Sequence, residues 1–176
     1  VAGAVADAGS ALTDVTFPNA TSITATISTA TDLTTVTLDG DVTHIDLNNV
    51  ANVLLDINDL TGRTITANGG TYKVKDTAAT LAGAAEALLS DQTIVVDDSS
   101  TAANTTQINQ IQTKMVSNGG SGTVTYTKLT GSATSLDTNK ADIVNGVAVT
   151  IDETGQNTAA TVAELNSIQT RVAAVN

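Results

Sequence analysis

The sequence has no cysteine, no tryptophan, one proline, one methionine and one histidine among its 176 residues. Without cysteine the chain has no disulfide, no thiolate metal ligand and no cysteine nucleophile. With His44 as its one histidine, it has no multi-histidine metal site, and a Ser-His-Asp triad would have to include that residue. The missing cysteine does not identify a compartment, because secreted bacterial proteins often lack it.

Basic residues and long apolar runs are scarce as well. Seven Lys and Arg stand against 18 Asp and Glu, so the net charge is −11. Phosphate recognition depends on clustered Lys and Arg, and we therefore expect no nucleic-acid binding. No run approaches the roughly 18 apolar residues that a membrane helix needs, so we also expect no membrane insertion.

Aromatic residues make up 2% of the chain, whereas Thr occurs 33 times and Gly 13 times. Any core must therefore consist of thin layers of Ala, Val, Ile and Leu. Such layers suit stacked repeats, in which small side chains pack coil against coil rather than around one centre. The composition favours this architecture over one ordinary domain, although the length allows both.

One helical segment occurs twice. STAANTTQINQIQTKM at residues 100–115 and NTAATVAELNSIQTRV at residues 157–172 align without a gap, with seven of sixteen positions identical. Both copies carry an apolar stripe with helical i, i+3, i+7 spacing. The stripe consists of Ile108, Ile111 and Met115 in the first copy and of Leu165, Ile168 and Val172 in the second. We expect each helix to bury this stripe on its own coil.

Three segments begin with an N-cap residue followed by Thr-Ala-Ala, and the caps are Asp76, Ser100 and Asn157. Asp, Ser and Asn are favoured there because their side-chain oxygens accept hydrogen bonds from free amides of the first turn. We therefore predict helices that start at these three residues. A degenerate fourth helix is predicted near residues 133–145.

A short strand-like run precedes each predicted helix, at residues 72–75, 94–97, 123–127 and 149–152. Strand followed by helix, four times over, implies parallel strands with right-handed crossovers. We predict that residues 72–76, 94–98 and 149–152 are neighbours in one ladder.

Residues 21–70 have a different pattern. They contain the β-branched runs TSITATI, DLTTVTL, DVTHIDL, ANVLLDI and TGRTITA, separated by Asp-Gly, Asn-Asn, Asn-Asp and Asn-Gly-Gly. The runs predict strands and the Asx and Gly pairs predict turns.

Two topologies are open for these strands. Asp39-Gly40 and Asn68-Gly69 are hairpin dipeptides that favour an antiparallel meander. Val36, Leu55 and Val74 are equally spaced along the chain, and this regular spacing favours parallel strands stacked in a solenoid.

The prediction for the whole chain is an α/β repeat protein, a right-handed solenoid with a parallel β ladder. Its N-terminal half is β-rich and its C-terminal half consists of strand-helix coils. Residues 1–20 would form an N-terminal cap or inter-subunit segment, residues 21–70 the β-rich coils, and residues 71–176 four strand-helix coils of one continuous solenoid. Because the chain opens without Met and ends in mid-pattern, we interpret it as a processed or excised piece.

Oxygen-rich clusters occur at Asp39-Gly-Asp41, Asp56-Ile-Asn58-Asp59 and Asp97-Asp98. Ca²⁺ takes roughly six to eight such oxygens, but neither the EF-hand loop nor the glycine-rich nonapeptide of Ca²⁺-binding β-rolls is present. We interpret these residues mainly as turn and cap residues. If a metal binds, Asp39 and Asp41 are its predicted ligands and Ca²⁺ is the predicted ion.

Other motifs predict ordinary structure. His44 alternates outward from Ile45 and is predicted to be a surface histidine. Thr-x-Thr recurs at 24/26, 35/37, 64/66 and 123/125/127, which suggests an ice-binding face, but the irregular spacing favours a solvated β surface. The glycines at 118–122 lack the Lys-Ser/Thr of a phosphate loop and predict a helix stop. No residue is a candidate for catalysis, and we expect no enzyme.

The stretch TYKVKDTAATLAGAAEALL resembles the repeat unit, strand-Asp-Thr-Ala-Ala-x-Leu-Ala, of very long repetitive surface proteins of cyanobacteria and other marine bacteria. The match is closest over residues 71–89 and looser at residues 94–116 and 149–172. Many of these proteins are adhesin-like or exported. The resemblance implies an extracellular or cell-surface structural role, in a surface layer, filament or adhesive stalk, and it transfers no catalytic residue.

These patterns together predict a non-enzymatic extracellular structural protein that works by repeat stacking and self-association. Its partners would be further copies or neighbouring repeats, with a glycan or surface as a further candidate. The alternative is a calcium-dependent adhesin module that recognises a glycan or surface.

Overall fold

A computed structural model of the chain describes residues 4–6, 22–29, 32–38, 40–156 and 158–175. It is a mixed α/β protein with three small all-parallel sheets. Its strands are β1 (Ala4–Ala6), β2 (Ile23–Thr26), β3 (Val42–Asp46), β4 (Val53–Leu55), β5 (Thr64–Thr66), β6 (Tyr72–Asp76), β7 (Thr93–Val96), β8 (Ala103–Asn104), β9 (Thr123–Thr125), β10 (Lys128–Gly131) and β11 (Ala148–Ile151). Its α-helices are α1 (Ile57–Leu60), α2 (Ala78–Gly83), α3 (Glu86–Leu89), α4 (Thr105–Val116), α5 (Ala133–Thr138) and α6 (Val162–Val175).

The chain forms two compact units. The first unit comprises Val1–Asp76 with Gln92–Ile94, and the second comprises Thr77–Asp91 with Val95–Asn176. The first unit contains a sheet of order β1-β2-β3-β5 and the strand series β4-β6-β7. The second contains a sheet of order β11-β10-β8 and the pair β7-β9. β7 is named in both units because its first two residues belong to the first unit and its last two to the second.

Strands of the first unit pair in parallel at a nearly constant sequence offset. Thr24 pairs with His44 and His44 pairs with Thr64, so these two steps are equal in length. Leu55 pairs with Val74, a step that is shorter by a single position. The parallel alternative is therefore confirmed for these strands, and the antiparallel meander is wrong. The dipeptide Asn68-Gly69 does form a turn, but it connects strands of two different sheets.

Asparagine occupies tight turns between the strands of the first unit. Asn48, Asn49, Asn52 and Asn68 all have positive φ angles, between 42° and 65°. Among residues with a Cβ atom, Asn tolerates this left-handed conformation best, because its short side chain can hydrogen-bond locally. The Asn-Asn and Asn-Gly-Gly turns predicted from sequence are thus confirmed.

Two runs of the first unit differ from their predictions. The run DLTTVTL forms a 3-10 helix at Leu33–Thr35 instead of a strand, because the Asp32 side chain accepts hydrogen bonds from the amide and hydroxyl of Thr34. Val36 therefore lies outside the ladder that joins Leu55 to Val74. The predicted Asn-Asp turn lies within α1, which Asp56 caps. Of residues 1–20, only β1 is among the described residues.

The one-ladder prediction is confirmed for residues 72–76 and 94–98, which overlap the neighbouring strands β6 and β7. It is wrong for residues 149–152, because the chain of the second unit bends between successive strands. β7 and β9 are followed by bends near Asp98 and Tyr126, after which β8 and β10 run in a different sheet. Residues 149–152 overlap β11 and pair with β10, so they do not join the sheet that contains β6 and β7. β7 and β9 thus belong to one ladder, and β8, β10 and β11 belong to another.

Two predicted helix starts are wrong by one to four positions. α2 has Thr77 rather than Asp76 as its N-cap, and α4 has Asn104 rather than Ser100, because β8 occupies the intervening backbone. α6 begins at Val162, and Asn157 lies outside the described residues. The fourth helix occurs where predicted, as α5 followed by a 3-10 helix at Lys140–Asp142.

The apolar stripe of α4 is buried as predicted, with Ile108 and Ile111 at 0% exposure and Met115 at 2%. In α6 the same stripe is only partly covered: Ile168 is buried, while Leu165 is 39% exposed. Burying one such side chain contributes about 1.5–3 kcal/mol. The remaining core of the second unit consists of small and medium aliphatic residues, chiefly Leu81, Leu89, Ala103, Leu129, Ala133, Leu136 and Ile143.

Candidate functional site

Of the two predicted metal ligands, the structure describes only Asp41. Asp39 lies outside the described residues, and Asp41 is exposed immediately before β3. Across the described ranges, no three His, Cys, Asp or Glu side chains come together in a way that could hold a metal ion. Ca²⁺ binding at Asp39 and Asp41 stays a prediction.

His44 lies beside two hydroxyl groups on the outward surface of β3. A β-bulge between the pairs Ile23–Val42 and Thr24–His44 leaves Thr43 as the extra residue. The Ser22 Oγ atom lies 3.1 Å from His44 Nδ1 and 3.0 Å from Thr43 Oγ1, and Thr43 Oγ1 lies 2.8 Å from His44 Nδ1. The bulge therefore gathers three polar side chains that strict alternation would separate.

The Ser22-Thr43-His44 cluster lacks the third member of a nucleophilic triad. A serine nucleophile needs a base that is itself oriented by a further group, usually a carboxylate. In the part of the chain that the structure describes, no carboxylate hydrogen-bonds to the His44 ring, and both hydroxyls share the same ring nitrogen. Sequence reasoning missed Ser22, because the bulge that brings it to His44 has no composition signal.

On the sheet that contains β2, β3 and β5, the Thr-x-Thr residues are aligned in rows across the strands, although their spacing in the sequence is irregular. Thr24, His44 and Thr64 form one row across three strands, and the next row contains Thr26, Asp46 and Thr66. His44 and Asp46 interrupt both rows of hydroxyls. Thr35 lies in the 3-10 helix and Thr123 in β9, so these pairs belong to other elements.

A cavity of about 210 Å³ lies beside α1 in the first unit, and acidic residues face it. Asp56 and Asp59 form a reciprocal cap: Asp59 N donates to Asp56 Oδ1 at 2.7 Å, and Asp56 N donates to Asp59 Oδ2 at 3.3 Å. The structure thus brings together two of the acidic residues that the sequence placed in one cluster. The other residues that line the cavity include Thr34, Thr37, Leu38, Asn58 and Arg63.

Burial of Asp59, which is 2% exposed, raises its pKa to about 7, and the neighbouring charge of Asp56 acts in the same direction. Arg63 lowers the Asp59 pKa less strongly. The Arg63 guanidinium instead donates to the carbonyl oxygens of Val42, Asn58 and Leu38, at 2.9, 2.7 and 3.2 Å. This arrangement fastens α1 to the adjacent coil, and sequence reasoning did not identify Arg63.

Asp98 holds the bend between β9 and β10. Its carboxylate accepts hydrogen bonds from the amides of Thr127 and Lys128, at 2.5 and 2.6 Å, and from the Thr127 hydroxyl at 2.7 Å. Burial alone would raise the Asp98 pKa, but these hydrogen bonds and the Lys128 charge outweigh it and lower the pKa. Asp91 similarly accepts from Ser121 N, within the predicted turn at 118–122. Both carboxylates have structural partners one coil onward.

Asp142 is a buried carboxyl group on the 3-10 helix that follows α5. Its Oδ1 atom accepts a hydrogen bond from Gln112 Nε2 at 3.2 Å, whereas Oδ2 has no partner among the described residues. Burial raises the Asp142 pKa. Tyr126 donates its hydroxyl to the Asp142 carbonyl, and burial together with the Asp142 charge raises the Tyr126 pKa to about 12.

No protein-family model, curated protein or solved structure matches this chain. No helix among the described residues is long and apolar enough to cross a membrane.

Proposed function

We propose that this chain is a non-enzymatic structural protein of the bacterial exterior, in which right-handed α/β solenoid coils extend a surface layer, filament or adhesive stalk. The observation that supports the proposal is the nearly constant sequence offset between neighbouring parallel strands in the first unit. A constant offset means that each coil repeats the path of the preceding one. Such stacking adds length without requiring a new core.

Contacts in the second unit support the same proposal. Side chains of α4 bond to α5 in the following coil, as with Thr105 and Ser135, and side chains of α6 bond back to α5, as with Glu164 and Thr134. Four of the acidic residues have structural partners: Asp56 and Asp59 cap α1, and Asp91 and Asp98 hold turns of the second unit.

The cell-surface location and the partners follow from the sequence resemblance and the charge. A net charge of −11 suits a surface that stays hydrated and attracts cations, and it disfavours nucleic acid. Further copies or neighbouring repeats are the proposed partners. Parallel ladders with unpaired outer edges favour such association unless they are capped.

Light scattering after size exclusion, over a range of concentrations, combined with electron microscopy tests the proposal. We expect mass to increase with concentration and fibres or layers to appear. A monodisperse monomer at every concentration, with polar caps at both ends, would contradict self-assembly.

A further inference from the structure

Helix α6 repeats the sequence of α4, and its surroundings can be compared with those of α4 position by position. Both helices have the same reciprocal cap. Asn104 and Gln107 exchange hydrogen bonds at 2.9 and 3.0 Å, and Thr161 and Glu164 do so at 3.3 and 2.8 Å. The two helices therefore start at equivalent residues.

The side of each helix that faces the preceding coil is also equivalent. Lys114 of α4 donates to the carbonyl oxygens of Ala82 and Ala84, and Arg171 of α6 donates to those of Lys140 and Ile143. Lys114 and Arg171 occupy the same position in the gapless alignment of the two helices. α6 is therefore oriented on its preceding coil as α4 is oriented on the coil before it, and its opposite side corresponds to the side of α4 that receives the next coil.

On α4 three side chains of this second side form hydrogen bonds to the following coil. Thr105 Oγ1 bonds to Ser135 Oγ at 2.5 Å, Asn109 Nδ2 donates to Asn139 Oδ1 at 2.8 Å, and Gln112 Nε2 donates to Asp142 Oδ1 at 3.2 Å. The three partners lie on α5, at its end, and on the 3-10 helix that follows. The three α4 positions are spaced i, i+4, i+7 and share one face of the helix.

The corresponding positions of α6, which we call its forward face, are Val162, Asn166 and Gln169. The two amides are identical in type to Asn109 and Gln112, and both are exposed. Among the described residues neither amide side chain has a hydrogen-bond partner. Val162 is 73% exposed, whereas the equivalent Thr105 is 1% exposed.

The apolar stripe of α6 is also more exposed than that of α4. Leu165, which borders the forward face on the side of the apolar stripe, is 39% exposed, while its equivalent Ile108 is 0% exposed. Ile168 is buried at 4% exposure, as its equivalent Ile111 is buried. The loss of burial in α6 is thus greatest along the side where α4 has a following coil.

We propose that the forward face of α6 binds one strand-helix coil of the kind that residues 128–142 form. This inference rests on the proposed stacking function and names the surface and the partner chemistry. The partner helix carries an amide and a carboxylate at positions equivalent to Asn139 and Asp142, and a small or apolar residue against Val162. Its strand pairs with Ala160 and Thr161, as β10 pairs with Ala103 and Asn104.

The alignment of the two helices defines the extension that tests this proposal. Asn176 aligns with Gly119, so the residues that follow Gly119 correspond to positions after Asn176. A second copy of residues 120–147, appended directly after Asn176 in the full chain, supplies the required coil in register. We expect the unfolding temperature to rise by about 5 °C or more. Side-chain amide protons of Asn166 and Gln169 should exchange more slowly with solvent.

The matched control is the double variant Asn166→Ala, Gln169→Ala, made both with and without the extension. In the unextended chain these side chains are exposed, so we expect little change. In the extended chain the variant should lose most of the gain. An extension that leaves the unfolding temperature and the amide exchange unchanged would overturn the proposal, and so would a dimer of unextended chains joined through α6.

The outcomes separate this inference from the proposed function. Docking of the extension without fibres or layers from the full chain would remove the assembly proposal and leave the forward face intact. If the double variant forms fibres normally and the extension does not dock, binding at the forward face would be refuted and the assembly proposal would stand.

Discussion

Asp59 illustrates how a residue with a structural role can have an unusual charge state. Its carboxyl group accepts a hydrogen bond from the amide of Asp56, the N-cap of α1, is almost completely buried, and lies next to the carboxylate of Asp56. Cap and burial oppose each other, because a charged acceptor strengthens the cap but loses hydration when it is buried. Protonation of Asp59 near neutral pH relieves this conflict.

The first prediction concerns Asp59→Asn. The folded pKa of about 7 lies above the ordinary 3.8, so the stabilising contribution is present below pH 3.8 and is lost as pH rises through about 7. The amide keeps an acceptor for Asp56 N but has no charge. We expect it to increase the free energy of unfolding at pH 8 by about 1–3 kcal/mol and to flatten the pH dependence between pH 4 and 7.

Urea unfolding at several pH values measures this effect. Asp41→Asn is the matched control, because Asp41 is exposed. An equal change in both variants would show that net charge, rather than the buried position, is responsible. A loss of stability in Asp59→Asn at pH 8 would contradict the prediction.

A second prediction at this scale concerns Gly70, at the corner before β6. A Cβ atom at this position would lie 2.6 Å from Leu47 Cβ and 2.6 Å from Val50 O in the neighbouring coil. We expect Gly70→Ala to lower the free energy of unfolding by about 1–3 kcal/mol through overpacking. Thermal or urea unfolding measures the change.

Gly83→Ala serves as the control for Gly70→Ala. Gly83 ends α2, and a Cβ atom at this position would have no neighbouring heavy atom within 4 Å. Alanine has a higher helix propensity than glycine, so we expect the free energy of unfolding not to fall and to rise by up to about 1 kcal/mol. Similar losses in both variants would refute the close approach of coils at Gly70.

At the scale of the element, the start of α4 differs from the position that its sequence favours. Ser100-Thr-Ala-Ala has the composition of a cap, but Asn104 accepts from Gln107 N and is the cap in the structure. Residues 103 and 104 form β8, and pairing with β10 holds them extended. A tertiary contact thus selects between two acceptable cap residues.

We predict that Asn104→Ala lowers the free energy of unfolding by about 1 kcal/mol or more, because the first turn of α4 loses its side-chain acceptor. Ser100→Ala should have little effect, since Ser100 is exposed and lies well before the cap. Urea unfolding of both variants is the measurement. The reverse order of effects would restore the cap predicted from sequence.

At the scale of the whole molecule, the open question is whether a divalent cation stabilises the fold. The structural proposal requires none, whereas the alternative of a calcium-dependent adhesin does. We predict that the unfolding temperature is the same, within a degree or two, in excess Ca²⁺ and in excess chelator. A ligand present at roughly 100 times its Kd adds about 2.7 kcal/mol, which would raise the unfolding temperature by several degrees.

A double variant and a second cation make the calcium experiment specific. Asp39→Asn with Asp41→Asn removes the predicted ligands, and Mg²⁺ replaces Ca²⁺ in a parallel series. A large increase that requires Ca²⁺ and disappears in the double variant would support the adhesin alternative over the structural proposal.

The periodic parts of the chain were predictable, and the irregular parts were not. Parallel pairing in the first unit follows from the regular spacing that includes Leu55 and Val74, and the buried stripe of α4 follows from Ile108, Ile111 and Met115. The 3-10 helix after Asp32 was missed, because a local side-chain hydrogen bond overrides β propensity. The bulge at Thr43 was missed because it depends on the partner strand.

By itself the sequence determined a mixed α/β fold, a core of small aliphatic side chains and a helical segment that occurs twice. These properties depend on composition and periodicity, which are local. The tertiary structure decided which residue caps α4, how the strands divide among three sheets, and which side of α6 lacks a partner among the described residues. Those outcomes depend on contacts between residues far apart in the sequence, which override the small local preferences that a sequence displays.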